Sequence, residues 1–355
     1  MYIYTFSGLY EDNKWWIPLS DMDGLFCIDK EGDSEYVTFF GQEKYNGHYD
    51  ISKVFSYNDK LIFVHRYAFE VKVLSKKNKE LETVRHDIKS EFFISNAVKS
   101  DNIIWIYPNV MTVPIIKLNL DNMEMTEIKW NLKEADASLP IIRLKYYENK
   151  VYFATRKEND IKIGILDCNT DNITYKRLSE AKYINCIEVS DNKLWALYRS
   201  KSGKTILEEF DLNLDKGKKT DLSYKLELSD SIKINYFELV FKNNTLFAFS
   251  TFENKVSVID LSTEDITDVY GEKRIESEEM TVSDIQRMED KIIMYSPSLG
   301  CIEYFDISKR EIVALNYDIN QENYDCLCKD IVRTKGYVTE WDRLNLEKYL
   351  NVINS

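Results

Sequence analysis

The sequence predicts an all-β fold, a seven-bladed β-propeller of four-stranded antiparallel blades with a C-terminal amphipathic helical tail. Three observations predict it: a β-hairpin pattern repeats along the chain, its period is in the forties, and four short strand-like runs fall in each period. The hairpin is clearest at residues 244–265, where polar turns flank the apolar runs Leu246–Phe249 and Val256–Ile259.

Each repeat is anchored by an Asn or Asp in the turn before its most apolar strand. Successive anchors are 43 to 52 residues apart, and they are Asn13, Asp59, Asn102, Asn149, Asn192, Asn244 and Asp290. Apolar residues within the runs recur with a period of two, which excludes helix-pair repeats. The repeats therefore predict a propeller domain at residues 1–320 and a separate tail at residues 321–355.

An apolar residue followed by Asp ends the second strand of the hairpin in five repeats. These aspartates are Asp29, Asp167, Asp211, Asp260 and Asp306. Such a side chain accepts backbone hydrogen bonds in the turn that follows. This ending, after an Asn/Asp-Lys-Leu-aromatic strand, resembles the blades of Kelch-like, WD-repeat-like and sensor-type bacterial propellers over about residues 2–318. The resemblance implies the superfold and no functional residues, because the Kelch double glycine and the Trp-Asp ending are absent.

The two ends of the predicted propeller each have their own strands. The first repeat has an inner strand at residues 2–10, and the last has an outer strand at residues 312–317, so ring closure requires no strand exchange between the termini. The longest interval contains the polar stretch 215–233, which we interpret as a protruding loop or an extended outer hairpin.

The tail carries an apolar stripe at the helical spacing i, i+3, i+4, i+7. Its residues are Leu346, Tyr349, Leu350 and Ile353, with Trp341 and Leu344 upstream. The stripe predicts an amphipathic helix that packs on the propeller. A docking helix for a partner protein is the alternative.

The composition excludes several classes of function. A net charge of −13, from 47 basic and 60 acidic residues, argues against nucleic acid as a partner. No export signal and no run of about 20 apolar residues is present, so neither secretion nor membrane insertion is predicted. Six dispersed cysteines fit reduced thiols in a cytoplasm, and abundant Lys, Ile and Asn are typical of a bacterial, AT-rich genome. No catalytic, metal-binding or cofactor-binding motif is present, and we predict no metal ion and no cofactor.

Aligning the repeats gives a polar position six residues before each anchor. It holds Ser7, Lys53, Asn96, Arg143, Cys186, Glu238 and Asp284. In a propeller the first strand of each blade borders the central channel, so this set is predicted to line it. Two interpretations stay open: polar walls that satisfy one another, or a zwitterionic ligand held between the basic pair Lys53 and Arg143 and the acidic pair.

A second aligned position, seven residues after each anchor, holds arginine in three repeats. These are Arg66, Arg156 and Arg199. Guanidinium groups pair well with carboxylate or phosphate, so three of them at equivalent strand ends could converge on an anionic ligand.

The function that these observations favour is non-catalytic: a cytoplasmic propeller scaffold or adaptor that binds a protein or peptide partner through one face. The alternative is a propeller lyase or hydrolase, or a binder of a small anionic or sugar ligand. Its site would combine Arg66, Arg143, Arg156 and Arg199 with Glu238, Asp284 or His65 as the acid or base. A lectin would instead need aromatic platforms, but Trp16, Trp105 and Trp195 fall in a register more typical of core packing.

Overall fold

The computed structural model describes residues 3–20, 22–41, 51–66, 70–86, 95–108, 111–130, 141–155, 158–226, 228, 235–273, 280–317 and 319–335. These residues form seven four-stranded antiparallel sheets, each made of four strands that are consecutive in the chain. The predicted seven-bladed β-propeller is therefore confirmed, and each blade is complete without a strand from the other end of the chain. The chain divides into two compact units, Met1–Arg85 with Gly271–Ser355, and His86–Tyr270.

The first unit contains three blades and a helix. Blade 1 comprises β1 (Leu9–Glu11), β2 (Lys14–Pro18), β3 (Gly24–Asp29) and β4 (Ser34–Phe39). Blade 2 comprises β5 (Ile51–Tyr57), β6 (Lys60–His65), β7 (Glu70–Ser75) and β8 (Leu81–Arg85). Blade 7 comprises β25 (Asp284–Arg287), β26 (Lys291–Tyr295), β27 (Ile302–Asp306) and β28 (Glu311–Leu315), and helix α1 spans Gln321–Lys335.

The second unit contains four blades. Blade 3 comprises β9 (Ser95–Ser100), β10 (Ile103–Pro108), β11 (Ile115–Asn119) and β12 (Met125–Ile128). Blade 4 comprises β13 (Ile141–Tyr147), β14 (Lys150–Thr155), β15 (Ile161–Asp167) and β16 (Ile173–Leu178). Blade 5 comprises β17 (Ala181–Ser190), β18 (Lys193–Ser200), β19 (Thr205–Asp211) and β20 (Lys216–Asp221). Blade 6 comprises β21 (Tyr236–Lys242), β22 (Thr245–Ser250), β23 (Lys255–Asp260) and β24 (Ile266–Tyr270).

Two-residue turns join the first two strands in four blades and have positive φ at both central residues. The turn residues are Asp12-Asn13, Glu148-Asn149, Asp191-Asn192 and Asn243-Asn244. Turns with φ above zero at both positions match the right-handed twist of the flanking strands, and Asn and Asp tolerate that conformation better than most residues. This turn therefore explains four of the seven anchors, which are Asn13, Asn149, Asn192 and Asn244.

The predicted aspartate turns are also present. Asp167 Oδ1 accepts from the backbone N–H groups of Asn169 and Thr170 at 3.0 Å each. The same side-chain acceptor occurs at Asp29, Asp211, Asp260 and Asp306. Asn119 takes this role in blade 3, where its Oδ1 accepts from Asp121 N at 2.9 Å. Each of these side chains satisfies backbone groups that a tight turn would otherwise leave to water.

The hydrophobic clusters lie between neighbouring blades of the same unit. One joins blade 4 to blade 5 through buried residues such as Tyr152, Ile187 and Leu194. Blade 4 also contains Gly164, where a methyl group would lie 2.1 Å from Cζ of the buried Phe153. Glycine is therefore required there by packing.

Helix α1 is part of the first unit's core. Its side chains Tyr324, Leu327 and Ile331 are buried in the cluster shared with blades 7 and 1. Leu327 lies against Gly24, where a Cβ atom would be 2.8 Å from Leu327 Cδ2. Asn320 Oδ1 accepts from Asn323 N at 2.9 Å and caps the helix N-terminus. The predicted helical stripe at residues 346–353 lies outside the described residues.

Two sequence interpretations differ from the structure or are refined by it. The inner strand predicted within residues 2–10 was wrong in its extent, because β1 begins at Leu9. Upstream, Ile3 N and Thr5 N donate to Gly300 O and Ser296 O of the blade 7 loop, and Thr5 Oγ1 is within hydrogen-bond distance of Ser7 O and Pro18 O. In the stretch 215–233, residues 216–221 form β20, the outer strand of blade 5.

Candidate functional site

A buried polar cluster joins the first strands or entry segments of blades 7, 1 and 2, and we call it the Asp284 cluster. Lys53 Nζ forms an ion pair with Asp284 Oδ1. Ser7 Oγ donates to Asp284 Oδ2 at 2.5 Å, and Ile285 N donates to Asp284 Oδ1 at 2.8 Å. Three consecutive blades of the first unit are therefore connected through one carboxylate.

Burial has the largest effect on the pKa of the Asp284 carboxylate. Desolvation raises the pKa of Asp284 above its ordinary value, while Lys53 and Ser7 act in the opposite direction. The side chain of Lys53 is 25% exposed and that of Asp284 is 5% exposed. The ion pair is therefore reached by water only from the lysine side.

An equivalent cluster in the second unit joins blades 4, 5 and 6, and we call it the Lys145 cluster. Lys145 Nζ forms ion pairs with Glu188 Oε2 at 2.9 Å and with Glu238 Oε1. It also donates to the carbonyl oxygen of Leu239 at 3.1 Å. Glu188 accepts from Phe241 N at 3.3 Å. One nearly buried ammonium group thus holds two carboxylates from two other blades.

Lys145 and Glu188 were missed from the sequence because they lie at a position that the alignment of the repeats did not single out. The pairing of β13 with β14 shifts between Ile142 and Lys145, and that of β17 with β18 shifts between Ile184 and Cys186. From Lys145 and from Glu188 to the following anchor the pairing is regular, so these irregularities do not change their distance from the anchors. Lys145 and Glu188 lie four residues before their anchors, whereas the alignment took the sixth.

The remaining members of the predicted channel set have different surroundings. Cys186 is fully buried and packs with Trp195 and Leu239 between blades 5 and 6. Asn96 Oδ1 accepts from Ala97 N at 2.8 Å. The side chain of Arg143 lies outside the described residues. Lys53, Glu238 and Asp284 thus take part in the two buried clusters, and their role towards a ligand stays a prediction.

The three aligned arginines also stay a prediction. Arg156 lies outside the described residues. In the first unit, the Arg66 guanidinium carbon lies 4.8 Å from the ring centroid of Phe6. In the second unit, Arg199 Nη1 donates to Leu228 O at 2.6 Å. Both described guanidinium groups therefore have partners within their own units.

The tryptophans considered as sugar platforms are core residues. Trp16, Trp105 and Trp195 are at most 5% exposed. Trp105 stacks on Tyr146 with ring centroids 5.9 Å apart, and Trp195 stacks on Phe241 at 4.6 Å. Each stacked pair joins the second strand of one blade to the first strand of the next. The repeated tryptophan of the second unit thus packs neighbouring blades together.

A groove opens at the surface between blades 5 and 6, and we call it the seam groove. It encloses about 40 Å³, which is room for about three water molecules. Its apolar lining consists of Trp195, Leu207, Leu222, Ile259 and Leu261. Its polar lining consists of Glu209, Lys218, Thr220, Asp260 and Glu264.

Two carboxylates of the polar lining form ion pairs with lysines. Lys218 Nζ donates to Glu264 Oε1 at 2.6 Å, and Lys193 Nζ is 2.9 Å from Glu209 Oε1. Next to the groove, Lys225 Nζ donates to Asp265 Oδ1 at 2.8 Å and fastens the turn after β20 to blade 6. The side chain of Tyr224, in that turn, is 98% exposed.

The described ranges show neither a metal-binding cluster nor a membrane-spanning helix. They contain no group of three or more His, Cys, Asp or Glu side chains arranged to hold a metal ion. Helix α1, the helix that they contain, is neither long nor apolar enough to cross a bilayer.

Comparisons with known proteins show the fold. A scan against protein-family models finds no match, and a search of curated proteins finds none either. Among solved structures, the chain is similar to a streptogramin B lyase, with TM-score 0.58, 15% identity and coverage of 88% of this chain and 93% of that chain. It is also similar to the hydrazine synthase structure from Kuenenia stuttgartiensis, with TM-score 0.58, 7% identity, and 90% and 97% coverage.

A third similar structure is the extracellular domain of a hybrid two-component system from B. thetaiotaomicron. The TM-score is 0.56, the identity is 13%, and the match covers 86% of this chain but 40% of that chain. These proteins differ in role and share the propeller architecture. At such identities the likeness confirms the fold and assigns no activity.

Proposed function

We propose that the chain is a non-catalytic binding scaffold that recognises a protein or peptide partner through one propeller face. The observation that carries this proposal is that three of the candidate charged side chains already have partners within the protein. Lys53 pairs with Asp284, Glu238 pairs with Lys145, and Arg199 donates to a backbone carbonyl. Charged groups paired in this way hold neighbouring blades together, and a rigid scaffold that presents loops is what a recognition protein needs.

The cytoplasm is the location we propose for this scaffold. All six cysteines are free thiols in the structure, which supports a reducing compartment. Fractionation of cells that produce the tagged chain tests the location, and recovery in a membrane or extracellular fraction would contradict it.

The test of the binding function compares peptides with small ligands on the full chain. A random peptide display selection, followed by calorimetry of the selected peptides, is expected to yield binders of 1:1 stoichiometry. A thermal-shift panel of phosphate, citrate, sugar phosphates and neutral sugars is expected to leave the melting temperature unchanged. A shift caused by one of these ligands and abolished by Arg199→Ala or Arg66→Ala would overturn the scaffold proposal in favour of a small-ligand or enzyme site.

A further inference from the structure

We infer that helix α1 covers the outer edge of blade 1 and prevents this edge from pairing with a strand of a second copy of the chain. This protective role is independent of the proposed function. Three features of the molecule support it: the hydrogen bonds of Asn323, the burial of one face of the helix, and the sequence of strand β4.

Strand β4 is the outer strand of blade 1, so one of its edges faces away from the sheet. On its inner side it pairs with β3, where Glu35 lies opposite Cys27. Ser34 and Tyr36 flank Glu35, and hydrogen-bonding groups alternate between the two edges of a strand, so their backbone groups point outward. An outer edge of this kind is a template for a strand from another chain.

The side-chain amide of Asn323 occupies the outer edge of β4. Its Oδ1 atom accepts from Tyr36 N at 3.1 Å, and its Nδ2 atom donates to Ser34 O. One residue of a parallel neighbouring strand would make the same two bonds with its own C=O and N–H groups. Asn320 N also donates to Ser34 Oγ at 3.2 Å. The helix therefore pairs with the groups that a fifth strand would use.

Burial of one face of α1 holds the amide of Asn323 in place. Tyr324 is 2% exposed, Leu327 is 0% exposed and Ile331 is 4% exposed. The Tyr36 hydroxyl donates to Asp330 Oδ2 at 2.8 Å, which joins β4 to the helix a second time. Displacement of α1 would expose these apolar side chains together with the edge of β4.

The sequence of β4 favours pairing of an uncovered edge with a second copy. Residues 36–40, Tyr-Val-Thr-Phe-Phe, are five consecutive aromatic or β-branched residues without a charge or a proline. Such segments pair readily with copies of themselves. A charged residue lies within each outer strand of blades 2 to 6, and examples are Glu82, Glu127, Lys176, Lys219 and Asp268. Charges on an edge oppose pairing, whereas the uncharged run of blade 1 is protected by the helix.

The first test loosens the helix with Leu327→Ala and uses Ile302→Ala as its matched control. Both side chains are fully buried in the same hydrophobic cluster, but Ile302 belongs to blade 7. Sedimentation velocity over a wide range of protein concentration measures self-association of the full chain. We expect Leu327→Ala to associate at a concentration about tenfold lower than either Ile302→Ala or the wild type, because only Leu327→Ala uncovers the edge.

Two further variants test the amide and the place of contact. Asn323→Leu removes both hydrogen bonds to β4, so hydrogen exchange of peptides that contain Tyr36 should become about tenfold faster. Gln321→Leu, at an exposed position of the same helix, should leave it unchanged. Thr38→Lys places a charge within the uncharged run, and in combination with Leu327→Ala it should restore the association behaviour of the wild type. Circular dichroism verifies that all variants fold.

Each contrary result has a defined meaning. Equal self-association of Leu327→Ala and Ile302→Ala would attribute it to a general loss of stability and overturn the inference, and so would a Leu327→Ala variant that does not associate. Self-association that Thr38→Lys does not reverse would place the contact away from β4 and also overturn it. Unchanged exchange in Asn323→Leu would overturn the role of the amide, and this measurement decides even where Leu327→Ala does not fold.

Discussion

The Asp284 cluster and the Lys145 cluster have similar roles in their units but different net charges. Each joins three consecutive blades through one lysine, in the first unit at Lys53 and in the second at Lys145. The Asp284 cluster combines this lysine with one carboxylate and one hydroxyl, so it is neutral when ionised. The Lys145 cluster combines it with two carboxylates, Glu188 and Glu238, and has an excess negative charge.

The difference shows which partner each cluster depends on. In the Lys145 cluster the ammonium group is the shared donor, and its side chain is 10% exposed while that of Glu188 is fully buried. In the Asp284 cluster the carboxylate is the shared acceptor, and it has two further donors. Removal of the lysine should therefore be far more damaging in the second unit than in the first.

The largest effect is expected for Lys145→Met. The substitution leaves two buried carboxylates without their cation, and loss of one partner from a buried ion pair costs about 3–5 kcal/mol. Urea unfolding followed by circular dichroism measures the free energy of unfolding. A loss below about 1 kcal/mol would show that water reaches these carboxylates, and the clusters would then not differ as described.

A smaller loss is expected for Lys53→Met, the matched substitution in the first unit. Asp284 keeps the donors Ser7 Oγ and Ile285 N, and it can bind a proton when Lys53 is absent. We expect a loss of about 1–3 kcal/mol, measured by the same unfolding experiment. A loss equal to or greater than that of Lys145→Met would reverse the comparison.

The fold was predictable because its signals are local. The turn anchors Asn149 and Asn192 have positive φ, and the aspartates that end the strands cap the next turn. Both roles depend on residues that are neighbours in sequence, so the repeat could be recognised without knowledge of the packing.

The predicted helical tail is confirmed by α1 at Gln321–Lys335, although the apolar stripe used to predict it lies at later residues. Tyr324, Leu327, Cys328 and Ile331 have the spacing i, i+3, i+4, i+7, and Asn320 precedes them as a cap. The same pattern at residues 346–353 drew the prediction to the later segment. The capping residue Asn320 is the sequence signal that marks the start of α1.

The polar clusters and the seam groove could not be predicted in full. Lys145 meets Glu238 across about ninety residues of sequence, and the two residues lie at different distances from their anchors, four residues for Lys145 and six for Glu238. The groove depends on the gap left between Leu222 of blade 5 and Ile259 of blade 6. Such features follow from the packing of blades, and one chain's repeat pattern does not encode their geometry.

A third substitution, Glu188→Gln, gives the Lys145 cluster the charge balance of the Asp284 cluster. One lysine then faces one carboxylate, and the amide oxygen can still accept a hydrogen bond from Lys145. The acceptor for Phe241 N is lost, so we expect a cost of about 1 kcal/mol in the free energy of unfolding. Because the double variant Lys145→Met with Glu188→Gln leaves one fewer buried charge, it should be more stable than Lys145→Met alone. A double variant that is less stable would show that the excess charge is not what makes Lys145 necessary.

The smallest effect is expected in the pH dependence of the Asp284 cluster. Burial raises the pKa of Asp284 above its ordinary value of 3.8, so at pH values just above 3.8 the folded state retains a proton that the unfolded state has lost. The contribution of this group is fully present below pH 3.8 and declines as pH rises through the folded-state pKa, with a slope of at most about 1.4 kcal/mol per pH unit.

Asp284→Asn removes this titration, so the difference in free energy of unfolding between wild type and variant should decrease as pH rises. The difference isolates Asp284 from other carboxyls such as Asp167, whose pKa is lowered by backbone hydrogen bonds and whose contribution is lost as pH falls. Because Lys53 lowers the pKa of Asp284, the Lys53→Met background should move the decline to higher pH. A difference that rises with pH would instead mean that Lys53 and Ser7 outweigh the burial of the carboxylate, and the Asp284 cluster would then depend on its lysine as strongly as the Lys145 cluster does.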